Sequence, residues 1–160
     1  MGKVLSGFTN GFAGAISRSV DDIVISLRNA SEENLAFGKP VFLVSGENAC
    51  MPFDAETCMG ENFLGFTVRA ADKTPEVYGS SQGVYTPEDP VDVLVRGSMA
   101  VTLDSSAQTG SPVYIRKADG ALVTNPGAEG STLLLPGVTV RRPRDSTRTA
   151  EIVLTKRNLL

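Results

Sequence analysis

An all-β fold, a small β-sandwich or β-barrel of about nine short strands with an extended N-terminal arm, is what this sequence predicts. Three observations carry that prediction. Val, Ile and Thr supply 35 of the 160 residues, a composition suited to pleated, half-buried surfaces. Sixteen Gly and nine Pro rarely leave room for a long helix. Short apolar runs alternate with polar residues between turn signals, the pattern of sandwiches and barrels.

Residues 1–19 read as the arm and 20–160 as one β-rich domain. In the arm, Gly2, Gly7, Gly11 and Gly14 punctuate Val4, Leu5, Phe8, Phe12 and Ile16. Each Gly costs a helix about 1 kcal/mol relative to Ala. The segment is nevertheless too apolar for a solvated tail, so Val4, Leu5, Phe8 and Phe12 are candidate contacts with another surface. Residues 15–37 are free of Gly and Pro, and helical and strand periods compete there. Local β-branching decides for a strand at 22–28. Ser31-Glu32-Glu33-Asn34 fits one helical turn or a tight loop.

Further on, a strand is expected at 40–44, a loop over 45–62, a strand at 63–70 and irregular chain over most of 72–90. Val91, Val93 and Val95 alternate with polar and apolar partners. Gly97 then interrupts before Met99, Val101 and Leu103, which reads as a bulge or bend in a curving sheet. Asp119-Gly120 between the runs 113–116 and 122–123 is the strongest hairpin signal. Strands at 132–135, 138–141 and 149–154 complete the series.

The absences narrow the chemistry. Without His there is no Ser-His-Asp triad, Cys-His pair, His-zinc site or His acid/base. Two cysteines cannot build a four-cysteine metal site. Glu88, Asp89 and Asp92 lack EF-hand spacing, and paired carboxylates lack an aromatic sugar platform. The expectation is therefore no enzyme, no cofactor and no metal. No apolar run reaches the roughly 20 residues that cross a bilayer, so no membrane partner is expected. A small enzyme or ligand-binding barrel would need a deep polar pocket with converging carboxylates.

Net charge is −3, unevenly spread. Residues 1–137 carry 9 basic and 16 acidic side chains, whereas 138–160 carry 6 basic and 2 acidic. Arg141, Arg142, Arg144 and Arg148, with Lys156 and Arg157, form a basic C-terminal segment. It reads either as a docking face for an acidic partner or as a solvated surface. No aromatic residue interleaves with the arginines, so nucleic acid is not expected. Cys50 and Cys58 lie in an acidic neighbourhood, consistent with free, unreactive thiols in a reducing compartment.

The order of motifs over residues 36–154 resembles the structural cement, or head decoration, proteins of tailed bacteriophages. Ala36-Phe37-Gly38-Lys39-Pro40-Val41 is similar to an early strand entry of that family, and Phe63-Leu64-Gly65-Phe66-Thr67-Val68-Arg69 to a later strand. Tyr85-Thr86-Pro87-Glu88-Asp89-Pro90-Val91-Asp92-Val93-Leu94 and Val95-Arg96-Gly97-Ser98-Met99-Ala100-Val101 follow in family order. Gly110-Ser111-Pro112-Val113-Tyr114 matches a Gly-Asp-Pro-Val-Tyr entry with Ser111 in place of Asp. The resemblance implies a β domain on the outer surface of the virion capsid, made in the host cytoplasm, that binds the major capsid protein and stabilises the mature head. It implies no active-site residues. Self-association is expected, as a homotrimer first and a homodimer second, because exposed strand edges and apolar patches call for symmetric cover. The alternative is another virion β module, such as a tail or baseplate component.

Overall fold

The computed structural model describes residues 10–70 and 83–155. Among them, eleven strands form and one 3-10 turn, Gly60–Asn62, is the helical content. The strands are β1 (Ile16–Asn29), β2 (Leu35–Ala36), β3 (Pro40–Leu43), β4 (Ala49–Pro52), β5 (Phe63–Thr67), β6 (Val84–Tyr85), β7 (Pro90–Thr102), β8 (Pro112–Arg116), β9 (Leu122–Val123), β10 (Thr132–Arg142) and β11 (Thr149–Leu154). Nine make one mixed sheet in the order β1-β4-β3-β5-β7-β11-β10-β8-β9, and β2 pairs with β6 apart from it.

β7 is the spine of this sheet. β1 runs antiparallel along one edge of it, from Ile16↔Met99 to Arg28↔Pro90. The other edge is divided between β5, at Val93 and Leu94, and β11, at residues 97–102. Because β1 also pairs with β4, in parallel at Arg28↔Ala49, the strands β1-β4-β3-β5-β7 close into a ring. The remaining strands, β11-β10-β8-β9, extend from the far half of β7 as an open wing. Barrel and sandwich are both present, joined through one strand.

Side-chain alternation then builds two cores. Val91, Val93 and Val95 share one core with Leu27, Val41, Cys50 and Leu64, so every strand of the ring contributes to its interior. Phe37 and Tyr85 pack against it edge to face, and the Tyr85 hydroxyl donates to the Val68 carbonyl at 2.6 Å. Leu94 points the other way, into a larger core. There Phe42, Phe63 and Phe66 from the outside of the ring meet Val113, Ile115, Leu135, Val140 and Ile152 of the wing. Gly97, at φ +128°, lets β7 carry on into Met99, Val101 and Leu103 on that same core.

The bulge expected at Gly97 sits across the ladder. Arg18 pairs with Ser98 and Ile23 with Arg96, so residues 19–22 of β1 loop out opposite the single Gly97. A Cβ on Gly97 would lie 3.0 Å from the Asp22 Cβ, which explains the residue type.

Other differences have physical reasons. The strand expected at 22–28 begins at Ile16, so the line drawn between arm and domain at residue 19 falls inside β1. β4 lies within the expected loop 45–62. Ala49-Cys50-Met51-Pro52 has no β-branched residue and is a strand because β1 and β3 flank it on both sides. The two strands expected at 132–135 and 138–141 run as one, β10. Asp119-Gly120 does turn β8 into β9, with the Gly120 N–H donating to the Arg116 carbonyl at 2.8 Å. Cys50 and Cys58 are both free and buried. Burial pushes the Cys50 thiol up to about 11, and it raises Cys58 as well.

Candidate functional site

The sequence before β1 is tied down by its own backbone. Gly14 donates to the Ala100 carbonyl at 2.9 Å and accepts from Arg69 at 2.8 Å, and the Ala100 N–H donates to Ala15 at 3.0 Å. Further back, the Asn10 N–H donates to Asp145 Oδ2 at 2.8 Å. Its side-chain amide donates to the carbonyls of Pro143 and Thr149 at 2.9 and 2.7 Å. Asp145 Oδ1 meanwhile accepts from Thr147 and Thr149 in the turn between β10 and β11. Partial burial alone would raise the Asp145 carboxyl. The donated hydrogen bonds outweigh it and hold the group below the usual carboxylate range.

This clamp brings β1 over the outer face of the wing. Antiparallel register sets Glu151 of β11 beside Ala100 of β7 and Arg142 of β10. Ala100 is small, and side chains from β1 reach across it. Ser17 Oγ donates to Glu151 Oε1 at 2.9 Å and Arg18 Nε to the same oxygen at 3.0 Å. Arg142 Nε lies 3.3 Å from Oε2. The Glu151 side chain is only 4% exposed, while those of Arg18 and Arg142 are 45% and 57% exposed. With Asn10, these groups line a cleft of about 300 Å³.

A second groove adjoins it, and Arg18 lines both. Arg141 forms part of its wall, with Nη1 donating to Ser98 Oγ at 3.4 Å. The other walls are Val153, Leu154 and the looped-out residues of β1, where Val20 is 99% exposed. Asp21 is bound by Arg96 at 2.8 and 3.0 Å and so does not neutralise Arg141.

The candidate contacts read from the sequence divide. Val4, Leu5 and Phe8, with Lys156 and Arg157, lie outside the described residues. Phe12 is half-exposed with its ring 5.1 Å from the Arg69 guanidinium, a stacking contact within this chain. Arg141 and Arg142 come together with Arg18. Arg144 turns away to the Leu103 carbonyl at 3.4 Å, and Arg148 to Asp104 at 3.5 Å. Arg18, Glu151 and Val20 were not singled out from sequence. One signal for Glu151 was available: it is the only charge in the run Thr149–Leu154.

Elsewhere, an open cleft of about 680 Å³ lies between β2, the β3–β4 region and the β8–β9 turn. Its Asp119 carboxyl is lowered to about 2 by the Arg116 guanidinium, which also reaches Asp104 at 2.7 Å. Asp54, on another wall, accepts from Glu56 and Thr57 within its own turn. Among the described residues no three acids or cysteines converge as metal ligands would.

No curated protein matches this sequence. Among solved structures, the chain is similar to one described as the capsid of Myoviridae Phage XM1. The TM-score is 0.75 at 19% identity, over 97% of this chain and 96% of that one, a likeness of fold. It also aligns with the head fiber gp8.5 N base of bacteriophage phi29, at TM-score 0.43 and 12% identity, over 86% of this chain and 99% of that one. The model of the structural cement proteins (E217 gp24/Pam3 gp6) matches residues 3–155, which span every strand from β1 to β11, and this chain therefore belongs to the structural cement protein family.

Proposed function

We propose that this cement protein decorates the outer surface of a phage head, where it binds the major capsid protein and stabilises the mature lattice without catalysis. A protein that binds only the expanded lattice stabilises that state by mass action. Such binding needs a complementary surface and no perturbed acid/base pair. The observation that carries the reading is the arginine-lined face of β1, β10 and β11 on a protein that is acidic elsewhere, with Val20 held out beside it. The absence of aromatic residues among those that line both clefts supports a protein partner over nucleic acid. Two buried thiols with no bridge support synthesis in a reducing host cytoplasm.

The protein self-associates in this reading, as a trimer before a dimer. Exposed Met59 and Leu134 are apolar surfaces that symmetry can cover. Mixing purified protein with undecorated heads, followed by imaging, tests the reading. Uniform surface density on the heads is expected. Density confined to the tail or baseplate would move the protein to that part of the virion.

A further inference from the structure

We infer that Arg18 and Arg142, oriented by the buried carboxylate of Glu151, form a receptor for a carboxylate side chain on an extended segment of the capsid protein, with the neighbouring groove taking an apolar residue beside that acid. The inference deepens the proposed capsid docking and rests on it for the identity of the partner.

The geometry is that of a preorganised site. Arg18 Nε hydrogen-bonds Oε1 of Glu151, and Arg142 forms an ion pair with the opposite oxygen, its Nε 3.3 Å from Oε2. Neither Arg18 nor Arg142 makes a hydrogen bond from its terminal nitrogens to any described residue. Both side chains line the same cleft and are half-exposed. Arg offers a planar fork that matches a carboxylate, and a fork already held by its Nε loses less freedom on binding. Burying Glu151 adds little to stability by itself, since desolvation offsets much of the attraction. Its evident effect is orientation, because it fixes two long side chains that come from strands far apart in the chain.

Charge supports the choice of ligand. Among the described residues that line the two clefts, Arg18, Arg141 and Arg142 face Glu151 and Asp21, and Asp21 is already paired with Arg96. The adjoining groove, about 460 Å³, presents Val20 and Val153 within one side chain of the anion cleft. An acid next to a small apolar residue fits this pair of clefts. A nucleic acid would find phosphate contacts there but no ring on which to stack.

The test uses Arg18→Lys/Arg142→Lys. The lysines keep a positive partner for Glu151 and remove the open forks. Arg116→Gln, in the separate ion cluster, is the control. Affinity for undecorated heads is measured with all three proteins. Amide resonances are followed in parallel as the free protein is titrated with a synthetic blocked Glu-Val-Glu-Val peptide and with oligothymidylate. The expected result is an unchanged melting temperature, at least tenfold weaker head binding for the double lysine variant only, and peptide-induced shifts at Ser17, Arg18, Arg142 and Val153. Head binding within twofold of wild type would overturn the receptor while leaving the docking function intact. Shifts with oligothymidylate but not with the peptide would also overturn it, in favour of nucleic acid. Loss of self-association in place of head binding would overturn it in favour of a second copy. If wild type does not bind heads yet the peptide shifts these residues, the docking function falls and the carboxylate receptor stands.

Discussion

Gly65 shows how little freedom single positions have in this fold. A methyl group there would penetrate the carbonyl oxygen of Leu94 on the paired strand and crowd Val93 as well. Backbone cannot step aside as a flexible side chain can. Gly65→Ala is expected to destabilise the protein by about 3 kcal/mol, the upper range for overpacking, as read from urea denaturation. Asp145 makes a second prediction at this scale. Its folded-state pKa is depressed, so its contribution is fully present above the ordinary carboxylate pKa of about 4 and is lost as pH falls through the lower folded value. Unfolding free energy measured from pH 6 down to pH 2 should therefore fall for wild type. In Asp145→Asn that part of the pH dependence should be missing.

Between elements, the meeting of β1, β10 and β11 at Glu151 is asymmetric, and mutation should expose this. Removing both arginines leaves a carboxylate that is 4% exposed without a cationic partner. Arg18→Ala/Arg142→Ala should cost about 3–5 kcal/mol. Removing the acid leaves two arginines already in water, so Glu151→Ala should cost only about 1–2 kcal/mol, the loss of its bonds and packing. Equal costs would show that the carboxylate is not the buried member. The same junction marks the limit of what the sequence discloses. β-branched alternation revealed β7, β8 and β11, and Asp119-Gly120 revealed the β8–β9 hairpin, because those signals are local. β4 has no β-branched residue and is held between β3 and the distant β1, and the two-residue β2 pairs with β6 far along the chain, so neither left a periodic trace. The arginines of 141–148 were visible as charge. Only the fold separates Arg142, which faces a cleft, from Arg144 and Arg148, which are used inside the molecule. Arg18 joins them through ring closure, which no local pattern encodes.

For the whole molecule, the clamp at Asn10 sets where an arm can begin. Deleting residues 2–9 removes Val4, Leu5 and Phe8 and none of the described hydrogen bonds. Deleting 2–14 also removes the Asn10 bonds to Asp145, Pro143 and Thr149 and the Gly14 bonds to Ala100 and Arg69. The shorter deletion is expected to melt within about 2 °C of wild type and to bind heads more weakly. The longer one should melt several degrees lower, since about 1 kcal/mol shifts the midpoint of a domain this size by roughly 2–4 °C. Calorimetry of both truncations separates an arm that reaches a partner from one that completes its own domain. Light scattering on the same samples shows whether residues 2–9 also contribute to self-association.

The position of β7 in both cores has a consequence for how the chain is made. During synthesis β1 to β6 emerge first, with Val41, Cys50 and Leu64 facing an interior that does not yet exist. The ring cannot close until Pro90–Thr102 arrives and Ile16 finds Met99. Long-range antiparallel closure is slow, on the order of milliseconds to seconds, and unclosed strand edges are open to pairing between chains. A ribosome-bound fragment ending before β7 should therefore recruit chaperones and resist folding, and one that extends past β11 should not.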